Sequence, residues 1–450
     1  MKRINSTEQD LTQGSIARKM LFFSIPLILT NMLQVLFHMA DVAVVGQFAG
    51  SMALGSVGST ATLINIYTGF LIGMAAGINV LAALYLGAKN KQSLKETVHT
   101  SFLISLLTGL FILVFGVLSA RGIMQILHTK EELIDGAVLY VRIYVLGMPA
   151  LAVYNFGNAV FSAAGDTKKP IYFLSAAGIL NVILNLFFVI VCQMSVAGVA
   201  LASIISQYVS AGLILMALFR SKEDFALRIS DMKFTADKAK DILKLGLPSG
   251  MQNAIFHIAN MFIQSAVNSF SAIMVAGNAA AQNADALVYD VMAAFYTACG
   301  SFIGQNYGAG KKDRILKSYL ISIVYSVGIG ALMGTTLVAC GPQFLGLFTK
   351  DPAVIEAGMK RLTIMGLSYG VSGFMDSALT ASRALGKSVI PTVIVVMGSC
   401  VFRIIWVNTI FAYFHTIPSL YLLYVFSWSI TAFAEIVYFV KVYREATAKM

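Results

Sequence analysis

Four acids stand inside long apolar runs of this chain: Asp41, Asp285, Asp376 and Glu435, with Asp290 one turn beyond Asp285. A charge at mid-bilayer costs at least about 2.5 kcal/mol unless it is paired or neutralised. Each such acid therefore points to an ion site, a proton site or a polar cavity. Asp41, in F-H-M-A-D-V-A-V-V-G, is the sharpest of them. It lies roughly 30 Å along its helix from Met20, at 1.5 Å per residue, which places it in the outer half of a membrane. Asn181 and Asn185 are four residues apart and share one helix face. Counted along their own helices, Asn185, Ser203 and Tyr140 reach a similar depth. One carboxylate with several neutral oxygens suits a proton or a monovalent cation. The plainer alternative is a carboxylate at an outer aqueous mouth, beside an Asn pair that bonds helix to helix.

The remaining acids divide by position. Asp285 falls near mid-membrane with Tyr289 one turn on and Gln282 and Asn283 close by, so it is expected to face a cavity. Asp376 is seven residues before Arg383 and is expected in the inner half, near a basic partner. Arg403 is expected to be the structural partner of one of these acids. Glu435 is expected to reach lipid headgroups at the inner face. His38 and His257, single histidines in apolar helices, read as hydrogen-bonded core residues. The 21 Met and 30 Phe read as lipid-facing and core side chains, although a cavity lined by such adaptable groups tolerates varied ligands.

The elements that position these residues are membrane helices. The chain is 58% hydrophobic and only 12% charged, against about 25% charged in soluble domains. Its apolar runs of near 20 residues match a hydrocarbon core about 30 Å thick. Twelve spans are expected, at 20–45, 54–84, 98–119, 133–161, 171–191, 196–219, 243–269, 274–303, 315–339, 357–381, 389–412 and 418–441. Strand alternation is missing, and helices satisfy the backbone in lipid without closing a barrel. A net charge of +11 then reflects Lys and Arg retained beside the spans, not affinity for nucleic acid. With both termini cytoplasmic, five of the 32 Lys and Arg fall on the outer side (Arg121, Lys130, Lys350, and Lys360 and Arg361 at the outer end of a span), and Arg142 and Arg403 lie deeper within spans. The others collect inside, as the positive-inside rule requires. Cys192, Cys299, Cys340 and Cys400 stand singly with no metal or disulfide spacing and read as small core residues. The polar first 20 residues are not followed by a small-residue cleavage site, so no cleaved signal peptide is expected.

The chain is also duplicated. Y-L-G-A-K-N-K at Tyr85 and N-Y-G-A-G-K-K at Asn306 align Gly87 with Gly308, an offset of 221. The same offset relates Gly165 and Pro170 in G-D-T-K-K-P to Gly386 and Pro391 in G-K-S-V-I-P. Pro26 and Pro248 open the two halves. The expected architecture is an all-α integral membrane protein with two parallel-repeat lobes of six helices, 1–219 and 243–450. A solvated cytoplasmic linker at 220–242 joins them. An even number of spans per half gives both repeats one orientation.

D-L-T-Q-G-S-I before the first span, A-D-V-A-V-V-G around Asp41, G-D-T-K-K-P and G-Q-N-Y-G-A-G-K-K together resemble the multidrug and toxic compound extrusion (MATE) transporters over essentially the whole chain. The resemblance implies two lobes forming a V around a drug cavity, and export driven by inward H⁺ or Na⁺ flow. It implies a coupling role for Asp41, Asn181, Asn185, Ser203 and Tyr140. Asn185 stands where members with a well-defined N-lobe cation site carry Asp, leaving Asp41 as the only carboxylate there. Asp285, Tyr289, Gln282 and Asp376 are assigned to the substrate cavity. Asn283 stands where the family often has Arg.

Three other classes fit the sequence less well. A major-facilitator transporter would carry a charged loop where Y-L-G-A-K-N-K stands. A lipid-linked saccharide flippase of the same superfamily would bring several basic residues to its cavity, whereas Arg142 and Arg403 are the ones available. An intramembrane enzyme needs a nucleophile–base or metal set at one depth, and the spacing supplies none. The expectation is an antiporter of amphipathic cationic small molecules, not an enzyme, without a cofactor beyond the coupling ion. It is monomeric in the cell membrane, with the lipid bilayer and its small-molecule substrate as partners and no nucleic acid.

Overall fold

In a computed structural model the chain is described at residues 10–448 and 450. Twelve long helical segments, with no strand among the described residues, run in order. They are α1 (Ile16–Val44), α2 (Gly50–Gly87), α3 (Lys91–Ile126), α4 (Glu131–Ala163), α5 (Lys168–Val191), α6 (Ser195–Arg220), α7 (Ala236–Val267), α8 (Ala272–Gly308), α9 (Lys312–Ala339), α10 (Pro352–Ala384), α11 (Val389–Phe414) and α12 (Ile417–Thr447). Among the described residues nine continuous stretches are long and apolar enough to cross a bilayer, the first being α1 and α2 run together. The two helices outside that set, α7 and α10, are diluted by charge: Asp237, Lys238, Lys240, Asp241 and Lys244 in one, Glu356, Lys360, Arg361, Asp376 and Arg383 in the other.

Most of the expected spans are recovered in longer helices. The loop expected between 45 and 54 is instead a wide π-type turn, Val45–Ala49, closed by Gly50 at φ +85°. The duplication shows in the backbone itself. Gly165 and Gly386 cap α4 and α10 at φ +86° and +84°, a left-handed geometry that a Cβ disfavours by roughly 1–2 kcal/mol. At the ends of α2 and α8, Lys89 and Gly310 share that geometry at φ +52° and +67°. In both halves the following amide reaches back five residues, Asn90 N–H to the Tyr85 carbonyl and Lys311 N–H to the Asn306 carbonyl.

Two compact units emerge, and they are not cut where the halves were expected to divide. One contains Leu29–Ala254; the other contains Leu11–Ile28 and Ile255–Met450. The cuts fall a few residues past Pro26 and Pro248, each inside a helix. Within the first unit the start of α7 lies flat on α2. A Cβ on Gly73 would meet the Ser249–Gly250 backbone at 2.5 Å, and one on Gly77 the Gly246 nitrogen at 2.5 Å. Asn253 Nδ2 donates to the Gly69 carbonyl (3.0 Å), and Lys238 Nζ to Tyr85 Oη (2.8 Å). Within the second unit the segment before α1 is bound just as firmly. Leu11 N–H donates to Gln305 Oε1 (2.9 Å), and Arg314 donates to the Leu11 and Gly14 carbonyls. Leu11, Met20 and Phe23 are buried against Ala298 and Phe302. D-L-T-Q-G-S-I and the G-Q-N-Y-G-A-G-K-K run thus meet in one clasp.

The linker is exposed or half-buried along most of its length but anchored at 225–227. Phe225 and Leu227 are fully buried, and Phe225 meets the Phe161 ring edge-on at 5.7 Å. His99 of α3 is buried as well; its Nδ1 lies 2.7 Å from the Lys95 carbonyl and its Nε2 accepts from Arg228 N–H at 3.1 Å. Lys91–Asp224 (3.1 Å) and Lys95–Asp231 (2.8 Å) pair at the surface. The hydrogen bond from Lys95 holds the Asp231 carboxyl below the ordinary aspartate range. Short apolar residues between the charges supply the anchoring that a charge count conceals.

Candidate functional site

The first unit converges on Asp41. Asn185 Nδ2 donates to Asp41 Oδ1 and, at 3.3 Å, to Asn181 Oδ1, while Ser203 Oγ donates to Asp41 Oδ2 at 3.4 Å. Three helices, α1, α5 and α6, therefore place one carboxylate among neutral polar groups, as the i,i+4 pair and the depth count anticipate. Asn185 is fully buried, Asn181 and Ser203 nearly so, and Asp41 is half-buried. Asn185 Oδ1 is buried without a hydrogen-bond partner, an acceptor that a cation or donor would satisfy. Tyr140 stacks on Tyr144, ring centroids 5.7 Å apart, and both lie within electrostatic range of Asp41.

Beside this cluster lies a cavity of about 330 Å³ whose walls come from residues 34–210 alone. Among the described residues Asp41 is the single charged side chain in its lining, which also holds Tyr140, Tyr144, Tyr154, Asn155 and Gln207. Sequence reasoning missed Tyr144, Tyr154, Asn155 and Gln207. Tyr144, one turn from Tyr140 on the same face, carried a readable signal; the others did not.

The second unit departs from expectation. Asp285 is not an open carboxylate: Tyr369 donates to its Oδ1 and Arg361 Nη2 to its Oδ2. Arg361, counted at the outer end of its expected span, is only 2% exposed. Its Nη1 donates to Asn278 Oδ1 at 2.6 Å, an oxygen that also accepts from Tyr421 Oη at 2.7 Å. The guanidinium lies over the Tyr421 and Tyr424 rings. The misplacement came from Lys360 beside it, which made a buried cation look like half of a flanking pair. Arg361, Met365 and Tyr369 recur every four residues, the signal of one inward face.

None of Asp285, Tyr289, Gln282 and Asp376 lines the cavity described above. Tyr289 meets the Tyr369 and Trp428 rings edge-on, and Gln282 donates to Gln264 Oε1 at 3.3 Å. Asp376 is half-buried, with Arg383 and Arg403 the cations acting on it. Arg403 donates to Ser427 Oγ (3.0 Å) and lies against Tyr424, Trp428 and Phe256. Aromatic faces, rather than a directly bonded carboxylate, receive that guanidinium. Glu435, expected at headgroups, is fully buried. His257 is half-buried, and the His38 side chain lies outside the described residues. Cys299 and Cys400 are buried, whereas Cys192 and Cys340 are exposed rather than core residues. No group of three metal-binding side chains occurs among the described residues.

Two repeated halves of six long helices, most of them apolar enough to cross a bilayer, one half holding a carboxylate at a largely apolar cavity, define a multi-pass integral membrane protein of transporter type. The MatE family model matches residues 26–187 and 248–410, most of each half, and the chain belongs to the multidrug and toxic compound extrusion family. Among curated relatives it is 28% identical to the probable multidrug resistance protein YpnP of Bacillus subtilis over 383 residues, covering 84% of this chain and 85% of that one. It is 24% identical to the FAD transporter of Shewanella oneidensis, covering 83% of each. Among solved structures, a MOP-superfamily transporter from Pyrococcus furiosus superposes with a TM-score of 0.91 at 20% identity, covering 99% of both chains. An outward-facing multidrug-resistance MATE transporter gives 0.91 at 20% identity over the full length of both. These likenesses establish the fold.

Proposed function

We propose that this protein is a secondary antiporter that exports amphipathic cationic small molecules in exchange for H⁺ or Na⁺, with Asp41 as the coupling group. The observation that carries this reading is the cavity wall, in which Asp41 supplies the only charge among the described residues, beside tyrosines, neutral polar groups and apolar side chains. A cationic, partly aromatic cargo matches such a lining. The same wall disfavours an anionic dinucleotide or a lipid-linked pyrophosphate, which would meet no Lys or Arg there. Asp41 is also held by Asn185 and Ser203. Asn181, Asn185, Ser203 and Tyr140 are therefore the groups that tune its exchange between coupling ion and cargo.

In this reading an ion or proton arriving from outside neutralises Asp41, removes the charge that holds the cargo, and is released inside once access reverses. The membrane potential contributes about 2.3 kcal/mol per charge per 100 mV. For a monovalent cationic cargo exchanged one for one the charges cancel, and export runs on the chemical gradient of the ion. The protein is placed in the cell membrane with both termini cytoplasmic, because that orientation puts most of its Lys and Arg inside. It is placed there as a monomer.

Proteoliposomes with imposed pH or Na⁺ gradients and a panel of cationic and neutral dyes test this directly. Wild-type protein should move cationic dyes under one of the two gradients. Asp41→Asn, equally abundant in the membrane, should lose gradient-driven transport; full transport by the variant overturns the coupling role.

A further inference from the structure

Glu435 has no role in the mechanism above, and its surroundings are unusual for an acid. It lies 18 residues into α12, roughly 27 Å from the start of the helix. It is fully buried, and neither carboxylate oxygen has a hydrogen-bond partner. Phe439, one turn on along the same face, lies on the Tyr319 ring of α9 with centroids 4.1 Å apart. That contact brings Tyr319 beside Glu435, within its electrostatic range. The Tyr319 hydroxyl is itself buried without a partner, as are the Ser318 and Ser382 hydroxyls, next in the chain to Tyr319 and Arg383. From α10, Arg383 and Asp376 act on Glu435, yet Arg383 Nη2 is bonded to Thr392 Oγ1 at 2.9 Å. Cys299 of α8 is within electrostatic range of Tyr319. From α11 the titratable or charged groups are Cys400, Arg403 and the exposed Tyr413, and Arg403 is taken up by Ser427 and its rings. On α12 itself Tyr438 is within range.

An ionised carboxylate without hydrogen bonds costs several kcal/mol in such a place. The carboxylic acid costs far less and supplies an O–H that a tyrosine oxygen can accept. We propose that Glu435, with Tyr319 and Arg383, forms a proton-binding site in the second unit, distinct from the Asp41 cluster. With the proton bound, Glu435 is neutral and Arg383 stays on Thr392. On release the proton passes to water, and the carboxylate left behind draws the Arg383 guanidinium from Thr392 Oγ1 into an ion pair. The carboxylate that forms is then compensated by the guanidinium, and the net charge of the site falls by one as the proton leaves. An ionisable group at this depth that is not paired in structure is a functional group by default.

The test is pH-difference infrared spectroscopy of the full-length protein in lipid nanodiscs, free of Na⁺ and of cargo. Wild type should show the loss of a protonated-carboxyl C=O band on raising the pH. That band should vanish in Glu435→Gln, remain in Asp41→Asn, and move in frequency in Glu435→Asp. The Asp41→Asn comparison separates this site from the proposed coupling group, so either can fail alone. A pH-difference spectrum unchanged by Glu435→Gln overturns the proposal. So does an unmoved band in Glu435→Asp, which covers the case in which the glutamine variant does not fold. Suppression of the Glu435 band by added Na⁺ at constant pH would assign the site to a cation and overturn the proton assignment.

Discussion

At the level of single residues, the two units handle buried charge in opposite ways. Asp41 is held by an amide and a hydroxyl and has a cavity at its side. Asp285 is closed off by Arg361 and Tyr369. Breaking a buried pair by removing one partner costs about 3–5 kcal/mol, because the survivor is left uncompensated. Asp285→Asn should therefore lower thermal stability sharply, whereas Asp285→Asn combined with Arg361→Met should recover much of the loss. Melting temperatures of the single and the double variant in detergent check this; equal loss in both would show that Asp285 and Arg361 do not depend on each other for stability. The Asp41 cluster calls for a different substitution. Asn185→Asp sets a second carboxylate beside the first, and two like charges at that distance do not ionise independently. The pH profile of transport should change, or Na⁺ dependence should strengthen, relative to wild type. An unaltered profile in a folded variant would show that Asn185 is not part of the coupling group. Asp41 and its Asn pair were legible because helical spacing fixes which side chains share a face. Arg361 and Glu435 were not, because a charge near the expected end of a span looks the same in sequence whether it faces headgroups or core.

At the level of elements, close approach decides more than apolarity. α2 and the start of α7 touch backbone to backbone because Gly73, Gly77, Gly246 and Gly250 leave no Cβ between them, the small-residue packing on which membrane helices rely. Gly73→Ala should destabilise the first unit by about 1–3 kcal/mol, the cost of overpacking, since the new methyl meets backbone that cannot rotate away. Gly58→Ala is the matched control, as nothing lies within 4 Å of its Cβ position. Comparable melting temperatures for the two variants would contradict the contact. The linker makes a weaker, pH-dependent element. Because Lys95 depresses the Asp231 carboxyl in the folded state, its contribution is present above the ordinary aspartate range and is lost as acid protonates it. Amide exchange at 222–235 should therefore rise on acidification beyond the intrinsic rate change, and rise less in Asp231→Asn. The twelve helices themselves were plain in the sequence from the length and apolarity of the runs. The joint between α1 and α2 was not, because a polar-poor, Gly-rich stretch resembles a loop and a wide helical turn equally.

At the level of the whole molecule, the sequence repeat and the compact units are different divisions of one chain. The repeat was readable from the 221-residue offset, and the paired left-handed caps at Gly165 and Gly386 and at Lys89 and Gly310 show it in the backbone. What the offset does not reveal is that each unit is completed by part of a helix from the other half of the sequence. The first unit runs to Ala254 and therefore includes the opening turns of α7. Those turns supply the Gly246–Gly250 face for α2, the Asn253 bond to Gly69 and the Lys238 bond to Tyr85. A fragment ending at Ser221 lacks all of them, although it contains the complete first repeat; a fragment ending at Ala254 keeps them. Expressed alone in membranes, the longer fragment should resist protease markedly better than the shorter. Adding Gly246→Leu to the longer fragment should remove most of that advantage, because the added side chain enters the space held by the Met74 backbone. Equal protease resistance of the two fragments would mean that six helices suffice for the first unit and that the borrowed turns are incidental to its stability.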